Sequence, residues 1–128
     1  MNGLHLIADV YRCGCSAAAL RDRDTLQVLC ESECRAAGLT PLGVHFFQFV
    51  HADGAKAGVT GTVVLAESHL AIHTWPETGD VTLDVYVCNF SRDNSDRANR
   101  LFQRIIDHLA PEEVIRHEVV RGRLSAEV

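Results

Sequence analysis

From Val81 to Cys88 the chain alternates without a break. Val81, Leu83, Val85 and Val87 fall on one side, and Thr82, Asp84, Tyr86 and Cys88 on the other. A period of two means a strand whose two faces differ chemically. Other segments read as strands too. Leu4 to Tyr11 puts Leu4, Leu6 and Ala8 opposite His5, Ile7 and Asp9. Leu42 to His51 is rich in aromatic and β-branched residues. Val59 to Glu67, a short extended segment Ser68 to Trp75, and Glu113 to Arg121 complete the set. Turns are expected at Cys13 to Ser16 and Pro76 to Asp80, and a polar loop with two glycines at Ala52 to Gly58.

Helical spacing marks two further stretches. Asp24 with Gln27 forms a capping box, followed by Leu26, Leu29, Cys30 and Cys34, with Gly38 as the stop. Asp93 or Asn94 caps the second helix. Its stripe is Ala98, Leu101, Phe102, Ile105, Ile106 and Leu109, with Arg97, Arg100 and Arg104 on a solvated side and Pro111 beyond its end. The order is strand, helix, four extended segments, helix, strand. It predicts an α+β fold: a two-layer α/β sandwich whose mostly antiparallel sheet carries two helices on one face. The other sheet face needs a cover, which a second copy of the chain can supply.

A length of 128 residues suits one domain spanning 1–128. The net charge of −5, with no basic cluster, argues against nucleic acid as a partner. No apolar run approaches membrane-spanning length and the N-terminus lacks a signal-peptide pattern, which excludes a membrane partner and points to the cytoplasm. The odd count of five cysteines argues against a disulfide framework. Cys13-x-Cys15 and Cys30-x3-Cys34 invite a zinc reading. No second pair has ribbon or finger spacing, so these cysteines read as packing residues and no metal is expected.

Between the strands ending at Glu67 and starting at Val81 lies Glu67-Ser68-His69-Leu70-Ala71-Ile72-His73-Thr74-Trp75-Pro76-Glu77. A hydroxyl, two imidazoles, two carboxylates and an indole at strand ends are well placed for catalysis. Each also has a plain reading: Ser68 as a turn serine, His69 and His73 as a metal pair or structural residues, Trp75-Pro76 as core and turn, Cys88 as buried filler. The stretch from Gly61 to Glu77, with Asp84 and Cys88, resembles the prokaryotic S-adenosylmethionine decarboxylase proenzymes. The likeness extends to His5-Leu6 and to the last helix and strand, nearly the whole chain.

The resemblance implies an α/β sandwich that dimerises into a larger one, with active sites near the interface of a homodimer. It implies a zymogen that cuts itself between Glu67 and Ser68, giving chains 1–67 and 68–128. The Ser68 hydroxyl attacks the Glu67 carbonyl carbon, the acyl group shifts from N to O, and loss of the Ser68 α-proton expels the Glu67 carboxylate. The dehydroalanine that remains hydrolyses to ammonia and a pyruvoyl group, the covalent cofactor. A Schiff base on it accepts the electrons left on Cα when an amino acid loses CO2. His73 matches the family's processing histidine, and Thr60 stands where the family has a processing serine. Cys88 matches the proton donor; a thiol is mostly protonated at neutral pH and suits that role.

For the small-molecule substrate, Glu77 matches a residue used on ribose hydroxyls. Phe49 ends Phe46-Phe47-Gln48-Phe49, which resembles a segment supplying an aromatic to adenine; it reads equally as a core strand. The function implied is decarboxylation of S-adenosylmethionine, supplying aminopropyl groups for spermidine biosynthesis. Two departures lie near the pocket: Thr78-Gly79-Asp80 replaces an aromatic-Gly-aromatic run, and the loop Ala52 to Gly58 is longer than usual. Asp80 suits a cationic amine, so a pyruvoyl-dependent ornithine or arginine decarboxylase is the alternative. A non-enzymatic domain keeping the fold is the third reading, disfavoured because Ser68, His73 and Cys88 are all present.

Overall fold

The computed structural model describes residues 1–90 and 92–123. The strands are β1 (Asn2–Cys13), β2 (Pro41–Val50), β3 (Lys56–Leu65), β4 (Ser68–Trp75), β5 (Asp80–Cys88) and β6 (Pro111–Gly122); the helices are α1 (Ala17–Arg21), α2 (Arg23–Ala36) and α3 (Ser95–Leu109). All six strands form one sheet in the order β2-β3-β4-β5-β1-β6. Every neighbouring pair is antiparallel. The α+β expectation therefore holds.

The alternation in each strand decides which face is covered. Leu4, Leu6, Ala8, Val10, Val59, Val63, Leu70, Ile72, Val81, Leu83, Val85 and Val87 are buried, and with α2 and α3 they make the core. The stripe on α3 is buried at all six apolar positions. Each of those larger side chains contributes about 1.5–3 kcal/mol relative to exposure. Gly61 faces the same side; a Cβ there would run into the Phe46 ring, so the site takes no side chain.

The opposite face carries His5, Ile7, Thr60, His69, His73, Asp84, Tyr86 and Cys88, none of them buried, and among the described residues no helix crosses it. The helices all lie on one side, but among the described residues there are three, not two. α1 is too short to show a helical period in sequence, and its place is set by packing: the Thr74 hydroxyl, buried in β4, donates to Leu20 O at 2.7 Å. The capping box at Asp24 is also corrected. Asp22 is the N-cap of α2, accepting from Thr25 N at 2.9 Å and Thr25 Oγ1 at 2.7 Å, while Gln27 bonds Glu31.

The arginines of α3 do more than face solvent. Arg104 pairs with the buried Glu33 of α2, and Arg100 donates to Ala37 O at the C-terminal end of α2, where a cation suits the helix dipole. Ala110 ends α3 in the left-handed region (φ +48°), and Pro111 follows. Cys30 and Cys34 lie in the core; burial pushes the Cys34 thiol up to about 12 and the Cys30 thiol higher still, so both stay protonated. Among the described residues no helix is long and apolar enough to cross a membrane.

Candidate active site

β3 and β4 form a tight hairpin, Leu65 pairing with Ser68, so the Glu67–Ser68 bond lies in its turn. Ser68 has a backbone φ of +151°, a region that side chains other than glycine's rarely enter. Such a conformation costs about 1–3 kcal/mol and persists only where the surroundings enforce it. They do so here. The Glu67 carbonyl accepts from Cys88 N at 2.8 Å. Its carboxylate accepts from Thr40 N at 3.0 Å and Thr40 Oγ1 at 3.2 Å, and Ala66 N donates to Thr40 O at 2.9 Å. The peptide bond before Ser68 is thus strained and clamped on its acyl side, with one amide N–H already aimed at the carbonyl oxygen.

Cys88 ends β5 at the same corner, and its own carbonyl accepts from Asn94 Nδ2 at 3.0 Å. The amide of Asn94 is therefore turned to β5 and does not cap α3. Asp93 Oδ1 takes Ser95 N in the first turn instead. Nearby on the open face, Tyr86 lies between two imidazoles, its ring centroid 5.7 Å from His5 and 5.9 Å from His69. His5 Nε2 stands 3.2 Å from Asp84 Oδ2, and the Arg121 guanidinium covers the Tyr86 ring at 4.7 Å. Burial, and then the neighbouring His5, pull the His69 imidazole below its usual range.

The other site residues gather at the far end of β4. The Thr60 hydroxyl and His73 Nδ1 are hydrogen-bonded across the β3–β4 ladder. They open onto a cavity of about 340 Å³ lined also by Phe49, Gly58, Trp75 and Glu77. Phe49 is about half exposed on the edge strand and stacks edge-on with Phe47 at 5.0 Å, so it is not a core residue. Asp80 does not line this cavity. Its carboxylate accepts from Arg12 N at 3.2 Å and borders a separate hollow with Asp9, Tyr11 and Thr82.

The structure therefore brings together Glu67, Ser68 and Cys88, and separately Thr60, His73, Phe49 and Glu77. It does not unite the two sets within one chain. Ser68 and His73 are five residues apart on an extended strand, roughly 17 Å at 3.4 Å per residue. The same arithmetic puts His69 and His73 roughly 14 Å apart, too far to share a metal ion. Among the described residues no group of three or more His, Cys, Asp or Glu side chains is placed to hold one.

A family model described as S-adenosylmethionine decarboxylase matches residues 4–122. The chain belongs to the S-adenosylmethionine decarboxylase family. Similar relatives include the S-adenosylmethionine decarboxylase proenzyme of Aquifex aeolicus, 37% identical over 125 residues, covering 98% of this chain and 84% of that protein. The proenzyme of Picrophilus torridus is 38% identical over 120 residues, covering 94% and 84%. The crystal structure of the adenosylmethionine decarboxylase from Aquifex aeolicus matches with a TM-score of 0.83 at 36% identity, covering 98% of this chain and 95% of that one. The likeness thus spans both clusters and the strands that carry them.

Three residues around the decarboxylase-family motif escape a sequence reading. Thr40 holds Glu67 from 27 residues away, and Asn94 holds Cys88 across a turn. His51 stands beside Glu77, with Nε2 3.6 Å from Oε1. None of these links leaves a spacing pattern; each depends on which strands become neighbours.

Proposed function

We propose that this chain is a self-processing decarboxylase of S-adenosylmethionine, cut between Glu67 and Ser68 into chains 1–67 and 68–128 and working as a homodimer. Family membership supports the reaction class, and the clamped Glu67–Ser68 bond supports the self-cleavage. Attack of Ser68 Oγ on the Glu67 carbonyl carbon moves negative charge onto the carbonyl oxygen. The Cys88 N–H donates to that oxygen at 2.8 Å, the arrangement that stabilises an oxyanion. The backbone strain at Ser68 is relieved when the amide becomes an ester. The Thr40 donors keep the acyl side in place while the bond breaks.

The residues at this corner fit a pyruvoyl group derived from Ser68: the serine precursor, a held acyl neighbour and a thiol in Cys88. Such a group supplies a carbonyl that condenses with an amine and drains the electrons released with CO2. Cys88 delivers the proton that Cα then needs. Changing Cys88 to Ala is expected to leave cleavage intact, because only its backbone N–H faces the scissile carbonyl. Turnover is expected to fall about 10²-fold or more, the usual effect of losing a general acid. Gel analysis of cleavage beside a CO2-release assay checks both; unchanged turnover removes Cys88 from the mechanism.

The single observation that carries the dimer is the separation of the two clusters. A histidine that assists Ser68 has to lie within hydrogen-bond reach, directly or through one water, and roughly 17 Å is far beyond that. A second copy laid antiparallel across the open sheet face brings its Thr60, His73, Phe49 and Glu77 to the Ser68 and Cys88 of the first. A two-fold axis then makes two identical composite sites. It also covers the half-buried row that includes Ile7, Tyr86 and the histidines.

In the composite site Phe49 and Trp75 offer flat faces to an adenine and a sulfonium, and Glu77 offers an acceptor for a ribose diol. CO2 release from carboxyl-labelled S-adenosylmethionine, ornithine, arginine and lysine, measured side by side, tests the substrate. Release from S-adenosylmethionine alone is expected. Release from a basic amino acid and none from S-adenosylmethionine would overturn the assignment.

A further inference from the structure

The arms of the β2–β3 hairpin supply Phe49 and Gly58 to the lining of the 340 Å³ cavity, and the hairpin tip between them is held at several points. His51 N donates to Ala55 O at 2.8 Å, Gly54 N donates to His51 O at 2.9 Å, and Ala55 N donates to Asp53 Oδ1 at 2.9 Å. Lys56, at the start of β3, pairs with Asp22, whose carboxylate also caps α2. Both peptide groups of His51 are therefore fixed and the hairpin is tied to the helix layer.

Glu77 is held from the opposite side. Its turn is closed by Gly79 N donating to Trp75 O at 3.0 Å, and Cys13 N donates to Gly79 O at 2.8 Å. These two rigid turns bring His51 Nε2 to 3.6 Å from Glu77 Oε1. Among the described residues His51 is the one side chain paired with Glu77. Without it the carboxylate, about half exposed at the tip of a turn, has no group to select a rotamer. A separation of 3.6 Å is too long for a full hydrogen bond, so the carboxylate lone pairs stay free for a ligand.

We infer that His51 is a positioning residue: it holds Glu77 over the cavity and so sets how tightly the pocket grips the two hydroxyls of a ribose. The inference rests on the nucleoside-substrate reading above. Orientation of an exposed carboxylate by an imidazole is worth about three- to fivefold in affinity. A control of this kind acts on ribose-bearing ligands alone and leaves the chemistry at Ser68 untouched.

The test is calorimetric titration of the processed enzyme with 5′-methylthioadenosine, which lacks the amine and carboxylate of the substrate, and with its 2′-deoxy counterpart. Wild type is expected to prefer the riboside. His51→Ala is expected to weaken the riboside about three- to fivefold, to leave the deoxy compound unchanged, and to cleave normally. His51→Gln is expected to recover part of the loss through its amide donor. In a Glu77→Gln background, His51→Ala is expected to add nothing. Equal weakening of both nucleosides, no weakening of either, or a full further loss in the Glu77→Gln background overturns the inference. An enzyme that turns over S-adenosylmethionine without riboside preference overturns the His51 role and the Glu77–ribose contact, and leaves the decarboxylation reading standing. A wild type that binds neither nucleoside overturns the substrate reading, and this role with it.

Discussion

Changing Ser68 to Ala is expected to leave the protein as one uncut chain of 128 residues with turnover at background. On the proposed mechanism two losses coincide: the oxygen that attacks Glu67 is gone, and so is the source of the reactive carbonyl. Folding is expected to survive. The hairpin turn is held by Thr40, Cys88 N and the β3–β4 and β4–β5 ladders, none of which uses the Ser68 hydroxyl. Alanine at φ +151° meets the same steric cost as serine, about 1–3 kcal/mol, so stability is expected to change little. Intact-mass analysis reads the cleavage, and a thermal melt beside it separates loss of chemistry from loss of fold. An uncut Ser68→Ala chain with wild-type turnover would refute the mechanism.

Co-expression of two inactive variants gives the second large effect. His73→Ala alone is expected to cleave about 10²-fold more slowly than wild type, through loss of an acid–base group. Ser68→Ala alone is expected not to cleave. On the proposed dimer, the two together are expected to form mixed dimers in which one composite site has Ser68 from the first chain and Thr60–His73 from the second. Random pairing puts about half of the His73→Ala chains in such dimers, so up to about half of them are expected to be cut. Tags of different size on the two variants identify which chain is cleaved. If the His73→Ala chain stays as slow with its partner as without, His73 acts within its own chain and the antiparallel face-to-face dimer is wrong.

Much of the architecture is legible in the residues because it depends on local periodicity. The bounds of β4, Ser68 to Trp75, are as expected, and the apolar stripe of α3 is buried as its spacing requires. The period-two pattern of β1 and β5 correctly separates a core face from a half-buried face. Features fixed by distant partners are not legible in this way. Asp22 outcompetes Asp24 as the cap of α2, in a position that also lets it bind Lys56 from the β2–β3 hairpin. α1 gains its place from Leu20 and Thr74, not from any pattern of its own. Thr40 reaches Glu67 only because the start of β2 runs beside the end of β3.

The motif itself draws the same line. Its composition, and the kinship it carries, are properties of the eleven residues from Glu67 to Glu77 and need no coordinates. Its geometry depends on the secondary structure those residues adopt. On a helix, five residues rise only roughly 7.5 Å, with the Ser68 and His73 side chains about 140° apart around the axis. On a strand they span roughly 17 Å and fall in two separate clusters. Sequence alone determines which groups are present and which family the chain joins. Only the tertiary structure decides that they lie at opposite ends of β4, because an extended backbone turns nearness in sequence into distance.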